Sequence, residues 1–380
     1  MNDESSSISA SSHSAVDASR GWAMCTAPSV FASKTLVIIG EAPGAEEEKA
    51  GVPFVGSAGR QLTDSFEAAG LDRREWFILN TFIERPPNND LTSTKSEWTL
   101  NKTDFKREYG YAPRTPALKK RYLRPHLQWQ IEELYTRLRI LKPDLILAMG
   151  ATALWALTQQ DAITQFRGTF FDTPFGRAIA TLHPASVLYQ YSNMPLLWAD
   201  LIKVRLWLEG RLPAPLRRKL WVNPTLDEIE SCYARFAAQP EALLGVDIET
   251  CPSIDQITTV SFSTETEGIC IPIWDRDAGE PSRQNYWPSA SEEVRAWRYI
   301  DRFAKLPNPK VLQNGLYDAQ YLLDAPISIR LRNYAHDTSL AHHAYQPELP
   351  KALGVLASLH LNEPSWKQMR QSAKDAKADE

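Results

Sequence analysis

At 380 residues the chain is longer than one typical domain and long enough for two, each with its own core. Its 43% hydrophobic and 23% charged content excludes a largely disordered chain. A formal net charge of -4 excludes a surface that is basic throughout, while leaving room for a small basic groove.

The chain opens on MNDESSSISASSHSAVDAS, which is polar, serine-rich and without the apolar run of a signal peptide, so residues 1–33 are expected to form a mobile tail. No stretch is apolar for long enough to span a bilayer, and no membrane partner is expected. TLVIIG (35–40) predicts a buried strand ending at glycine, and AGRQLTDSFEAAG (58–70) predicts a helix stopped by Gly70. WFILNTF (76–82) predicts a second strand, residues 123–141 a helix broken by Pro143, and DLILAMG (144–150) a third strand. The helix ATALWALTQQ follows, then a fourth strand at 178–184. Strands alternating with helices argue for an α/β fold with a parallel central sheet covered on both faces.

GRLPAPLRRKLWVNP (210–224) carries three prolines and a basic cluster and is expected as a linker between domains at 34–209 and 225–380. Beyond it, residues 226–239 predict a helix, ALLGVDIET and 257–274 predict strands with a hairpin turn near Thr264–Gly268, and 292–306 predict a helix. KVLQNG (310–315) predicts a strand, and 336–346 and 349–360 predict helices. The four cysteines, Cys25, Cys232, Cys251 and Cys270, show no C-x-x-C spacing. They are expected as free thiols of a reducing, cytoplasmic compartment rather than a disulfide framework or zinc knuckle.

In the front half, a strand running into GEAPG (40–44) brings backbone amides toward a bound group, although a glycine-rich first turn also arises for steric reasons alone. It is not GxGxxG and has no lysine–serine pair, so a nucleotide cofactor is not expected. The blocks GEAPGAEEEKAGVPFVGSAGRQL (40–62), LNTFIERPPNND (79–90), LKPDLILAMGATA (141–153) and TLHPASVLYQ (181–190) together resemble the uracil-DNA glycosylase superfamily, in its thermophile-type, iron–sulfur branch. The resemblance covers about residues 34–208 and implies a three-layer αβα domain.

It also implies roles. Uracil must leave the base stack before its glycosidic bond is reachable. Gly40, Ala42 and Gly44 would line the base pocket, Phe54 would stack on the flipped base, and Asn80 would read the uracil edge, donating to O4 and accepting from N3–H. His183 would donate toward O2, where negative charge develops. Glu41 would orient the attacking water or offset positive charge on the sugar, since Ala42 stands where a better-known branch has an aspartate. Ser186 and Leu188 lie in the loop that meets DNA, Leu188 as a wedge. Lys119, Lys120, Arg121 and Arg124 are read as a basic helix start facing phosphates or simply solvent. Glu84 stands where the branch has a cluster cysteine, and Cys25 is alone in this half, so neither an iron–sulfur cluster nor any glycosylase cofactor is expected.

In the back half, DIET sets Asp247 and Glu249 two apart on a strand, so both carboxylates share a face and attract a divalent metal. With QNGLYD (313–318), HDTSLAHH and ELPKALGVLASLH, the series resembles the 3′–5′ exonuclease domain of family A DNA polymerases, particularly phage-like ones. That resemblance implies a ribonuclease H-like αβ fold. Asp247, Glu249 and Asp318 would hold Mg2+ or Mn2+, Asn314 and Tyr317 would support them, and Asp337 would organise the site. His342 and His343 are expected in surface or packing roles. The third motif is absent: Gln371 stands where its tyrosine should be, with Asp375 nearby, so exonuclease activity is expected to be weak or lacking.

These readings converge on hydrolysis of the N-glycosidic bond of uracil in DNA, linked to replication or repair, with a DNA polymerase or other replication protein as partner. Two alternatives remain: an active exonuclease with a degenerate glycosylase domain, and a scaffold that senses uracil without cutting. The location is cytoplasmic, in the nucleoid or in a host cytoplasm for a phage-encoded chain.

Overall fold

The structure, a computed structural model, describes residues 25–30, 32–251, 256–274, 285–324 and 326–363. The expected tail, apart from a few residues before Lys34, and the Gln371–Asp375 stretch lie outside the described residues. The described chain forms two compact units, one ending at Leu212 and one spanning Pro213–Glu363.

The first unit runs β1 (Leu36–Gly40), α1 (Ala45–Ala50), α2 (Ser57–Ala68), β2 (Trp76–Asn80), β3 (Thr99–Leu100), α3 (Lys102–Tyr109) and β4 (Tyr122–Leu123). It continues with α4 (Gln128–Leu141), β5 (Leu145–Met149), α5 (Ala151–Thr158), α6 (Ile163–Phe166), β6 (Phe170–Thr173), β7 (Gly176–Thr181), α7 (Ala185–Tyr189) and α8 (Met194–Leu208). Its main sheet has the order β2-β1-β5-β7-β6. The first four strands are parallel, and β6 closes the edge as an antiparallel hairpin with β7.

Side-chain alternation along β1 explains the layers. Val37 and Ile39 pack with Leu134 and Leu138 of α4 and Trp155 of α5, while Leu36 and Ile38 pack with Phe66 of α2 and Leu197 and Leu201 of α8. Each such fully buried aliphatic side chain contributes roughly 1.5–3 kcal/mol. The result is the αβα sandwich that the resemblance implies. The periodicity reading passes over α8 because that helix is apolar around much of its circumference and carries no single stripe.

One buried charge network ties α8 to the end of β7. Asp200 pairs with Arg167 at 2.5 Å and accepts a 2.7 Å hydrogen bond from the Thr181 hydroxyl. All three side chains are buried, so removing one partner would cost about 3–5 kcal/mol.

The basic stretch before α4 differs from expectation. The helix begins at Gln128, not Leu123, because Pro125 opens a separate 3-10 turn over Pro125–Leu127. Lys119 and Lys120 occupy a turn with positive φ.

The second unit runs β8 (Lys219–Trp221), α9 (Leu226–Ala237), β9 (Leu244–Cys251), β10 (Gln256–Ser263), β11 (Glu267–Pro272), α10 (Ala290–Lys305), β12 (Lys310–Leu312), α11 (Leu316–Leu323), β13 (Tyr334–Asp337), α12 (Thr338–Tyr345) and α13 (Leu353–His360). Its sheet has the order β13-β12-β9-β10-β11-β8. β9, β10 and β11 form an antiparallel meander, while β12 and β13 continue in parallel on the other side of β9. β8 lies inside the stretch read as a linker and pairs in parallel with β11.

The core packs Ile229 and Phe236 of α9 and Ile300 and Phe303 of α10 against Val246, Ile248, Val260 and Phe262. The Phe262 and Phe303 rings stack at 4.8 Å. β9 alternates buried Val246 and Ile248 with exposed Asp247 and Glu249, so the sequence period of two decides which face carries charge. No described helix is long and apolar enough to cross a membrane.

Candidate active site

Parallel strands leave their ligands in the crevice beyond their carboxyl ends. In the first unit β1 ends at Gly40 and β2 at Asn80, and β7 leads into His183. A cavity of about 290 Å³ opens there, lined among others by Ala42, Gly44, Glu47, Phe54, Asn80, Asn89 and His183.

Three hydrogen bonds to backbone carbonyls set the floor. Thr81 donates to the Gly40 carbonyl through its amide at 2.9 Å and its hydroxyl at 2.8 Å, and the Phe82 amide donates to the Glu41 carbonyl at 2.9 Å. Gly40 is required by close approach: a Cβ there would lie 2.5 Å from Asn80 Oδ1 and 2.6 Å from Phe54 Cε2. Missing bulk at Gly40 thus lets Asn80 and Phe54 converge.

Phe54 adopts φ of +56°, a left-handed conformation that costs a bulky residue energy, so it must be held. Arg73 holds it. One guanidinium nitrogen donates to the Phe54 carbonyl at 2.8 Å, and another donates to the Gly59 carbonyl at 3.1 Å and the Thr63 hydroxyl at 3.0 Å. Gly59 makes room, since a Cβ there would sit 1.8 Å from the Phe54 carbonyl oxygen. So fixed, the Phe54 ring lies 5.5 Å from the His183 ring at 28°.

His183 is oriented by its own loop. The Ala185 amide donates to Nδ1 at 3.2 Å, which makes Nδ1 the acceptor and leaves Nε2 to carry the proton of the neutral ring. Burial holds the His183 pKa below the ordinary histidine value, against the opposing charges of Glu41 and Glu47. A neutral donor at the cavity wall follows.

Two acidic residues have separate places. Glu41 does not line the cavity; its carboxylate accepts a hydrogen bond from the Thr152 hydroxyl of α5. Glu47, to which the sequence reading gave no role, does line it, and its two oxygens accept from the Gly44 amide at 3.1 Å and the Gly56 amide at 2.8 Å. It therefore staples the GEAPG loop to the PFVG loop. The capping pattern of a glycine followed three residues later by glutamate was its available signal. Asn89 was also passed over; it lines the cavity, and its side-chain oxygen accepts from Arg85 Nε at 2.6 Å.

The residues expected to meet DNA divide. Leu188 is 50% exposed, and the Ser186 hydroxyl is buried without a hydrogen-bond partner. Lys119 and Lys120 are exposed. Arg121 corrects the sequence reading: it is only 8% exposed, and its guanidinium donates to the Thr99 hydroxyl at 3.0 Å and the Thr99 carbonyl at 2.6 Å, so it braces β3 instead of facing phosphate.

In the second unit, Asp318 of α11 accepts from the Ile248 amide at 2.9 Å, which brings it beside Asp247 and Glu249. Asp247 faces solvent from its strand, yet partial desolvation by the surrounding chain, then repulsion from Asp318 and Glu249, pushes it up to about 6. Among the described residues, however, no three His, Cys, Asp or Glu side chains gather closely enough to hold a metal ion. The Tyr317 hydroxyl hydrogen-bonds that of Thr250 at 2.7 Å. Asp337 accepts five hydrogen bonds, from the amides of Asn314, Gly315, Ser339 and Leu340 and from the Tyr334 hydroxyl, pinning the QNG turn and the start of α12. Asn314 itself sits at φ of +57° in that turn. His342 is buried and His343 exposed.

Comparison with known proteins bears on the first unit most directly. Residues 28–202 match the family model of the uracil DNA glycosylase superfamily. A type-4 uracil-DNA glycosylase of Thermotoga maritima is 34% identical over 161 residues, covering 42% of this chain and 68% of that protein. One from Pyrobaculum aerophilum is 30% identical, covering 40% of this chain and 67% of that protein. A DNA polymerase of Bacillus phage SP01 is 20% identical over 237 residues, covering 60% of this chain but 22% of the polymerase.

Proposed function

The chain belongs to the uracil DNA glycosylase superfamily, and from that premise we propose how its own residues hydrolyse the N-glycosidic bond of uracil in DNA and leave an abasic site. The observation that carries the proposal is the fixed tautomer of His183, whose Nδ1 is taken by the Ala185 amide. Its Nε2–H is then free to donate to uracil O2 as the bond breaks and the base takes up negative charge. Phe54, clamped by Arg73, stacks on the flipped base, and Asn80 reads its edge. Ala42 and Gly44 line the wall beside the base, and Gly40 leaves the room in which Asn80 and Phe54 converge on it.

Glu47 has both oxygens engaged by backbone amides, and Glu41 is tied to Thr152. We assign both a charge role, offsetting positive charge on the sugar, with a water from solvent completing the hydrolysis. On the DNA side, Leu188, Lys119 and Lys120 stay in the proposed contact set; Arg121 leaves it, and so does the Ser186 hydroxyl, which is buried.

We propose that the reaction runs without an iron–sulfur cluster. Such a cluster takes four thiolates, and Cys25 is the one cysteine before Leu212. Burial pushes its thiol up to about 11, away from the thiolate form. At the position of the expected cluster ligand, Glu84 instead accepts from Gln130 Nε2 at 3.1 Å, while Gln130 Oε1 accepts the Ile83 and Glu84 amides at 3.0 and 3.1 Å. The residues present do not fit the group.

For the second unit we propose a residual nuclease module that attracts Mg2+ or Mn2+ weakly through Asp247, Glu249 and Asp318. Partial desolvation and then repulsion from Asp318 and Glu249 raise Asp247, a strain a cation would relieve, and the spacing of the group disfavours tight binding. The similarity to a phage polymerase supports a replication partner, and four scattered cysteines without C-x-x-C spacing support a reducing, cytoplasmic setting.

The test uses purified full chain in EDTA with an end-labelled oligonucleotide carrying one uracil, treated with alkali after incubation. Scission at uracil and not at a thymine control is expected. No scission on either single- or double-stranded substrate would overturn the reading.

A further inference from the structure

The loop that carries His183 also carries two aromatic side chains that the uracil chemistry does not use. Tyr189 is 91% exposed and Tyr191 is 75% exposed. Among the described residues, neither ring stacks on another ring and neither hydroxyl makes a side-chain hydrogen bond. The backbone beneath them is nonetheless well tied. The Gln190 amide donates to the Ser186 carbonyl at 2.9 Å, the Asn193 amide to the Gln190 carbonyl at 3.0 Å, and buried Val187 anchors the turn in the core. A fixed backbone thus presents two large apolar faces to solvent.

Their position is set by α7. Ala185 lines the uracil cavity, and Tyr189 follows it by one helical turn, a rise of roughly 6 Å along the helix. That distance is about the step from an extruded nucleotide to its neighbours on the same strand, which are spaced about 3.4 Å when stacked and farther when extended. From Pro184 through Pro195 the sequence PASVLYQYSNMP has no charged residue, so this rim has no cation to offer a phosphate. What it offers is π-faces, and every unpaired base has a complementary one.

We propose that Tyr189 and Tyr191 form a stacking platform for unpaired bases beside the extruded uracil, so that the protein favours uracil in single-stranded DNA over uracil in a duplex. The inference rests on the uracil reading of the adjacent cavity. It adds the substrate form that the rim selects. In a duplex the flanking bases are already stacked and paired, and their faces are not available to the rings.

The test compares the full chain with Tyr189→Ala/Tyr191→Ala and Tyr189→Phe/Tyr191→Phe. Binding to a single-stranded thymine oligonucleotide is measured by fluorescence anisotropy, which reads stacking without excision. Single-turnover excision is measured on single-stranded and duplex uracil oligonucleotides, and on a single strand with abasic spacers flanking the uracil. The alanine pair is expected to bind the single strand at least tenfold more weakly, with an unchanged salt slope. Its half-saturating DNA concentration should rise by a similar factor while the plateau excision rate stays put. The phenylalanine pair should match the wild type, and the spacer substrate should erase the difference between wild type and the alanine pair.

Unchanged single-strand binding in the alanine pair would overturn the platform. So would an equal loss on the duplex, or a loss that persists with flanking spacers. Tyrosine-dependent binding to the thymine strand without excision of uracil anywhere would uphold the platform and overturn the glycosylase reading, so the two failures are distinguishable.

Discussion

The two units hold their acidic and polar residues in opposite ways. In the first, residues at and beside the cavity are held by separate hydrogen bonds: Arg73 on the Phe54 carbonyl, Glu47 on two loop amides, the Ala185 amide on His183, and Thr152 on Glu41 just outside it. In the second, Asp247 and Glu249 project from an exposed strand face, with Asp318 alongside. One site is organised before any ligand arrives. The other brings carboxylates together, and partial desolvation followed by repulsion from Asp318 and Glu249 raises Asp247. Preorganised donors cost no rearrangement when charge develops, which is why the first arrangement suits catalysis.

The largest expected effect falls on His183. His183→Ala should lower single-turnover uracil excision by about 10²–10³-fold while changing binding of uracil DNA only slightly. An unchanged rate would remove His183 from the chemistry and make the first site no better organised than the second. Asn80→Asp should lower selectivity for uracil by roughly 10–100-fold, since a carboxylate cannot donate to O4. Equal discrimination in the variant would reject edge reading.

Arg73→Met tests whether the clamp matters as much as the residues it holds. Losing charge-assisted bonds to backbone carbonyls should destabilise the first unit by about 2 kcal/mol in urea unfolding, with excision reduced about tenfold as Phe54 relaxes. Arg73→Lys, which keeps one donor direction but not the fork, should fall between the two. Full activity in the methionine variant would show that Phe54 keeps its left-handed backbone without help.

The smallest effect is expected in the second unit and depends on pH. An aspartate in the unfolded chain releases its proton near pH 4, whereas native Asp247 keeps its proton up to about 6. Between those values the native state binds more protons, so stability of this unit declines as pH rises across the window and stays lower above it. Asp247→Asn should remove that decline, read by hydrogen exchange in β9 and β10. Manganese should raise protection of the wild type above pH 6 and leave the variant unmoved. The same pH dependence in both proteins would take Asp247 out of the charge cluster.

Much of this was legible along the chain because it follows from local rules. The alternation of strands and helices, the close glycines of GEAPG and the shared face of Asp247 and Glu249 come from periods of 2 and 3.6 and from the missing Cβ of glycine. The clamp on Phe54 did not read out, because Arg73 lies 19 residues away and looks like any surface arginine before a strand. Arg121 failed for the same reason in reverse: its neighbours Lys119 and Lys120 make a basic run, yet packing against Thr99 turns one of the three inward.

The sequence alone determined the α/β class, the superfamily of the first unit and the identity of Phe54, Asn80 and His183 as three of the residues that line its cavity. Tertiary structure alone decided which charged groups are spent on holding that cavity and which remain free. A motif records what adjacent backbone permits. Hydrogen bonds such as Thr181 to Asp200 or Thr152 to Glu41, which span 19 and 111 residues, exist only after helices and sheet have packed. Burial then makes each unpaired polar group costly enough that a partner must be found.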